Sequence, residues 1–149
     1  MSSDAHRRTA PSSVRCFVLT ISDTRTEATD TSGDAIAGLL AAAGHVVSGR
    51  TIVRDDPEAV REAIAGGRAG EAQVIITTGG TGITSRDSTY EAIAALLDKR
   101  LDGFGELFRM LSYDDIGSAA MLSRACAGTI GRTAVFSLPG SEHAVRLAM

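Results

Sequence analysis

Hydrophobic positions along the chain follow two different periods, and their alternation lays out the fold. Residues 15–21 (Arg-Cys-Phe-Val-Leu-Thr-Ile), residues 46–53, the run opened by Val74-Ile75-Ile76 and residues 133–138 are short, largely apolar and rich in β-branched side chains, the pattern of buried strands. Between them the period becomes helical. Ile36, Leu39, Leu40 and Ala43 share one face that Gly44 ends. Val60 and Ile64 lie one turn apart behind Asp56-Pro57-Glu58, with Asp56 as N-cap and proline at the first helical position, and Gly66, Gly67 and Gly70 close that helix. The order βαβαβ with short connections predicts an α/β fold, a mostly parallel sheet flanked by helices on both faces.

In the second half, Ser88-Thr89-Tyr90-Glu91 has the spacing of a capping box and predicts a helix through Ala92, Ile93, Leu96 and Leu97 to about residue 101, broken at Gly103 and Gly105. Residues 104–121 carry Phe104, Leu107, Phe108, Met110, Leu111, Tyr113 and Ile116 and read as mostly helical, with apolar surface for the core or a subunit contact. Residues 121–127 read as a further short helix ended by Gly128, 133–138 as the last strand, and Ser141 onward as a helix of about two turns. Residues 1–13 are polar and predict a flexible tail, and 14–149 a single domain.

Composition narrows the classes. Fifteen Lys and Arg against eighteen Asp and Glu give a net charge of −3, with no block of like charge to attract nucleic acid or an acidic membrane. No apolar run approaches the ~20 residues of a membrane span, and no apolar leader precedes residue 14, so a cytoplasmic protein with reduced cysteines is expected. His6, His45, His143, Cys16 and Cys126 lack zinc spacing, and no G-x-S-x-G marks a hydrolase nucleophile.

The candidate chemistry gathers where strands end. After Val74-Ile75-Ile76-Thr77-Thr78 comes Gly79-Gly80-Thr81-Gly82, a loop whose glycines permit positive φ and let successive N–H groups turn towards an anion, phosphate above all. It matches neither the P-loop nor the dinucleotide fingerprint. Asp23, Asp56, the glycine loop with Asp87, and Pro139-Gly140-Ser141 each follow a predicted parallel strand, so they belong to one edge of the sheet, where α/β proteins bind ligands. Singly, each has a local explanation, such as a cap, an Asx turn or a bend. Together, carboxylates beside a phosphate loop call for a hard cation between them, and Mg²⁺ shared with substrate phosphates fits.

Residues 19–23 (Leu-Thr-Ile-Ser-Asp), 30–33 (Asp-Thr-Ser-Gly), 77–82 (Thr-Thr-Gly-Gly-Thr-Gly), 103–110 (Gly-Phe-Gly-Glu-Leu-Phe-Arg-Met) and 138–141 (Leu-Pro-Gly-Ser), in this order, resemble the molybdenum cofactor biosynthesis protein B family of the molybdopterin-binding superfamily. The resemblance implies a trimer or hexamer that binds molybdopterin and transfers AMP from Mg-ATP to its phosphate with release of pyrophosphate. It implies Asp56 and Asp87 as the catalytic and Mg²⁺-holding carboxylates. It implies substrate contacts from Ser22, Asp23, Thr78, Gly79, Gly80, Thr81, Gly82, Glu106, Arg109, Ser137, Pro139, Gly140 and Ser141. Tyr90 stands where the adenylyltransferase branch often has proline, and Ser141-Glu142 where it has Asn-Pro or Lys-Pro. These departures keep open a second reading, a molybdopterin-binding or carrier module without catalysis.

Overall fold

A computed structural model describes residues 1–149. Six strands, β1 (Arg15–Ile21), β2 (Val46–Val53), β3 (Val74–Thr78), β4 (Lys99–Arg100), β5 (Cys126–Ile130) and β6 (Thr133–Leu138), form one sheet in the order β2-β1-β3-β6-β5-β4. β2, β1, β3 and β6 are mutually parallel, whereas β5 runs antiparallel to β6 and β4 antiparallel to β5. Helices α2 (Thr31–Ala42), α3 (Pro57–Ala69), α4 (Thr89–Leu96), α5 (Asp102–Ile116) and α6 (Glu142–Ala148) cover the sheet, and a 3-10 helix, Gly117–Leu122, follows α5. No helix is long and apolar enough to cross a membrane.

Two cores sandwich the sheet because successive strand residues face opposite ways. Leu19, Ile21, Ile75 and Val135 meet Val60 and Ile64 of α3 and Ile93 of α4. On the other face Cys16, Val18, Ile76 and Leu138 meet Ile36 and Leu40 of α2 and Val145 of α6, with Phe104 of α5 edge-on to Phe136. Both cysteines are free and buried, and burial pushes both thiols above their ordinary pKa.

The four strands at 15–21, 46–53, 74–78 and 133–138 stand where the hydrophobic pattern placed them, although β2, at the edge of the sheet, has no fully buried residue, and four other expectations are corrected. Residues Ser3–Thr9 of the expected tail form a two-turn helix, α1, capped by Ser2 and burying no residue. The helix after Ser88 ends at Leu96, so that residues 99–100 pair with β5 as an edge strand. Gly103 and Gly105 lie inside α5; a Cβ at Gly105 would stand 2.9 Å from the Ala125 carbonyl, so this glycine lets the helix approach the chain entering β5. Residues 126–130 are a strand, not part of a helix, because Gly131 (φ 58°) turns the chain into a tight hairpin with β6 in which Ile130 faces Thr133.

Candidate functional site

Because β1, β2, β3 and β6 are parallel and adjacent, the residues that follow them share one rim. The glycine loop is its centre. Gly79 (φ 97°) and Gly80 (φ 75°) have backbone conformations that side chains disfavour, and a Cβ on Gly79 would stand 2.2 Å from the Ile21 carbonyl oxygen. The Gly79 N–H donates to the Leu138 carbonyl at 2.9 Å, which ties the loop to the end of β6. The N–H groups of Gly80, Thr81, Gly82 and Ile83 donate to nothing within the chain, although Thr81 is buried. Successive free N–H groups in a glycine loop are an anion-binding nest.

The last-strand loop closes beside it. Thr78 Oγ1 donates to the Pro139 carbonyl and Ser32 Oγ to the Gly140 carbonyl, both at 2.7 Å, while Gly140 lies against Gly79 closely enough that an added Cβ would touch its Cα at 3.5 Å. Ser22, Thr78 and Gly140 join Thr20, Ile21, Arg25, Asp30 and Ser32 around a polar cavity of about 100 Å³ on the same rim. Of these, Arg25, Asp30 and Ser32 were not singled out as site residues, although the Asp-Thr-Ser-Gly run contained two of them. Asp30 is buried, caps α2 through the Gly33 N–H at 3.0 Å, and accepts from Thr20 Oγ1 at 2.8 Å and from the Arg50 guanidinium at 3.1 Å. Burial works against the Arg50 cation, but its bonds to Asp34 and Asp30 outweigh it and raise its pKa.

The other expected acidic groups divide. Asp56 accepts from the Ala59 N–H at 2.9 Å and caps α3. Its neighbour Asp55, not singled out from sequence, takes the Thr89 hydroxyl at 2.5 Å. Thr89 lies under the loop: a Cβ on Gly80 would meet its methyl at 2.6 Å. Asp23 accepts from the Asp55 N–H at 3.0 Å and holds the ends of β1 and β2 together. Asp87 borders the loop at Gly82, and its Oδ2 accepts from the Thr84 N–H at 2.7 Å and hydroxyl at 2.8 Å. It is therefore tied into its own turn rather than free, and the Thr84 hydroxyl and N–H lower its pKa. Ser88 makes no side-chain cap bond, contrary to the capping-box expectation.

Four further residues sit differently from expectation. Glu106 and Arg109 line a separate cavity of about 210 Å³ with Arg100, Gly105 and Cys126, and the Arg109 guanidinium donates to the Ser123 and Ala125 carbonyls. They stand apart from the glycine loop within the chain because α5 packs on β5, two strands beyond β3. Ser141 caps α6 by accepting from the Ala144 N–H at 3.2 Å, and Ser137 is buried within β6 beside Thr77.

No three His, Cys, Asp or Glu side chains cluster closely enough to hold a metal by themselves. Asp55 and Asp87 nevertheless each keep one carboxylate oxygen without a hydrogen bond in the chain. Mg²⁺, which takes one or two carboxylates together with water and substrate phosphates, fits that donor set.

A parallel α/β sheet with a glycine loop for an anion at its C-terminal rim defines a class, the open-sheet proteins that hold phosphorylated ligands. The comparisons give the family. A family model described as "Probable molybdopterin binding domain" matches residues 17–149. Molybdenum cofactor biosynthesis protein B of Bacillus cereus is 59% identical over 151 residues, covering 100% of this chain and 89% of its own, and that of Bacillus subtilis is 52% identical over the same coverage. A crystal structure of molybdenum cofactor biosynthesis protein B superposes with a TM-score of 0.91 at 60% identity, covering 95% of this chain and 89% of that one. The tungsten cofactor synthesizing protein MoaB from Pyrococcus furiosus superposes with a TM-score of 0.84 at 44% identity, covering 93% and 89%. This chain belongs to the molybdenum cofactor biosynthesis protein B family, and its role lies in molybdenum cofactor biosynthesis.

Proposed function

We propose that the protein binds molybdopterin along the C-terminal rim of its sheet and transfers AMP from ATP to the molybdopterin phosphate. The observation that carries this reading is the run of unpaired N–H groups at residues 80–83 between two carboxylates, Asp55 and Asp87. The loop takes the substrate phosphate. The polar cavity between Ser22, Thr78 and Gly140 takes the pterin edge through hydroxyl and backbone groups.

The chemistry asks little of a general base. The nucleophile is a phosphate oxygen that is already anionic; it bonds to the α-phosphorus of ATP while the bond from that phosphorus to the bridging oxygen breaks and pyrophosphate leaves with the electron pair. The protein's part is to align the two phosphates and to oppose their repulsion with fixed N–H dipoles. Asp87 and Asp55 are the residues that would hold Mg²⁺ beside the substrate phosphates, and the ion would supply charge neutralisation there. Asp56 keeps the N-terminus of α3 next to Asp55.

The protein works as a homo-oligomer in this reading. Leu107, Met110, Tyr113 and Ile116 of α5 and Met121 and Leu122 of the 3-10 helix are large apolar side chains left more than half exposed, a surface that a second copy of the chain covers.

Incubation with molybdopterin, ATP and Mg²⁺ is the test, with an active adenylyltransferase run in parallel. The expected result is an adenylylated pterin and one equivalent of pyrophosphate. Molybdopterin binding without conjugate, where the control turns over, would replace catalysis by the carrier reading.

A further inference from the structure

The carbonyl side of the glycine loop is gripped by a residue that enters from the chain just before β5, whose first residue Cys126 pairs with Ser137 near the end of β6. Arg124 lies between the 3-10 helix and β5. Its Nε and Nη2 donate to the Gly82 carbonyl at 3.0 and 2.6 Å, Nη2 also reaches the Asp87 carbonyl at 3.4 Å, and Nη1 pairs with Glu91. The guanidinium carbon lies 4.5 Å from the centre of the Tyr90 ring. Arg100 also holds Tyr90, donating to its hydroxyl at 3.0 Å.

We infer that Arg124 is a positioning residue for the anion loop: by holding the carbonyls of Gly82 and Asp87 it keeps the N–H groups of residues 80–83 open to a phosphate. The inference rests on the reading of that loop as a phosphate site and goes beyond it by naming what holds the loop open. The physical ground is competition. A glycine-rich segment has little steric preference and satisfies its N–H groups with its own carbonyls when it can. A trans peptide points its C=O and its N–H in opposite directions, so fixing the Gly82 carbonyl towards Arg124 turns the Ile83 N–H away from it. Arg124 removes an internal acceptor and fixes the direction of the neighbouring donor at once.

Only a planar fork does this. Two parallel N–H groups meet one carbonyl while the flat face rests on an aromatic ring, and a lysine ammonium supplies neither feature. Tyr90, the departure from the adenylyltransferase pattern, thereby has a structural role as the platform for Arg124.

Inorganic pyrophosphate is the probe, titrated into the full chain while the amide resonances of Gly80, Thr81, Gly82 and Ile83 are followed by NMR. In the unaltered protein these resonances move saturably. Arg124→Lys weakens the apparent affinity by roughly tenfold, the scale of one lost charge-assisted hydrogen bond, and Tyr90→Ala weakens it by a smaller factor, whereas Tyr90→Phe leaves it within about twofold. Added methylguanidinium restores binding to Arg124→Ala, a recovery that a general loss of packing does not give. Unchanged affinity in Arg124→Lys and Tyr90→Ala overturns the inference and leaves the phosphate loop standing. Loop resonances that ignore pyrophosphate in the unaltered protein overturn the phosphate loop itself and the inference with it. Absence of adenylyl transfer touches neither, since the titration involves no turnover.

Discussion

Asp30 and Asp87 are both carboxylates near the rim, and their partners give them different tasks. Asp30 is buried and receives three donors, from Thr20, Gly33 and Arg50, so truncation to alanine leaves a buried hydroxyl and a helix N–H unpaired and Arg50 with Asp34 as its remaining partner. Asp30→Ala is expected to destabilise the fold by about 2–3 kcal/mol in urea unfolding; a change within 0.5 kcal/mol, on the order of ordinary surface substitutions, would show that this cluster is not structural. Asp87 is tied only to Thr84, whose donors favour the ionised form and lower its pKa. A depressed carboxylate pKa contributes stability that is present above the unfolded value and disappears as pH falls through the folded one. The 84–87 turn is therefore expected to persist at neutral pH and to open only as pH falls below the ordinary carboxylate range. Thr84→Val removes the hydroxyl donor and moves the Asp87 titration upward in carboxyl NMR. An Asp87 midpoint that ignores this substitution would contradict the assignment.

At the scale of elements, α5 shows what a hydrophobic pattern can and cannot tell. The density of large apolar residues at 104–121 located the helix, yet the pattern did not say which of them face inward. Phe108 is buried and stacks on Phe104 at 6.4 Å between ring centres, whereas Leu107, Met110, Tyr113 and Ile116 point to solvent. A charge at Phe108 would break the core rather than an assembly, so the informative substitution is Met110→Asp. Sedimentation is expected to show a smaller species with an unchanged circular dichroism spectrum; an unchanged sedimentation coefficient would remove α5 from the contact. The hairpin of β5 and β6 was missed for a different reason. Its alternation is short, Gly128 reads as a helix stop, and the fact that a Cβ there would collide with the Lys99 carbonyl becomes visible only when β4 is in place.

For the whole molecule, the fold and the convergence of the candidate rim were legible because both follow from chain order: parallel strands send their following loops to one rim, and Asp23, residues 79–82 and Pro139-Gly140 arrive there. What the sequence concealed was long-range pairing. Arg124 reaches Gly82 across 42 positions, Ser32 reaches Gly140 across 108, and no local motif announces either bond. Asp55 and Asp56 follow the same strand, and only the long-range bond to Thr89 and the helix N-cap bond, neither of which the sequence displays, tell them apart. The rim itself is the central claim, and a crystal structure of the protein with molybdopterin tests it most directly. The expected result is the pterin phosphate within hydrogen-bonding distance of the N–H groups of residues 80–83, with the ring system towards Ser22 and Thr78. A phosphate bound elsewhere, with those four N–H groups untouched, would contradict the account.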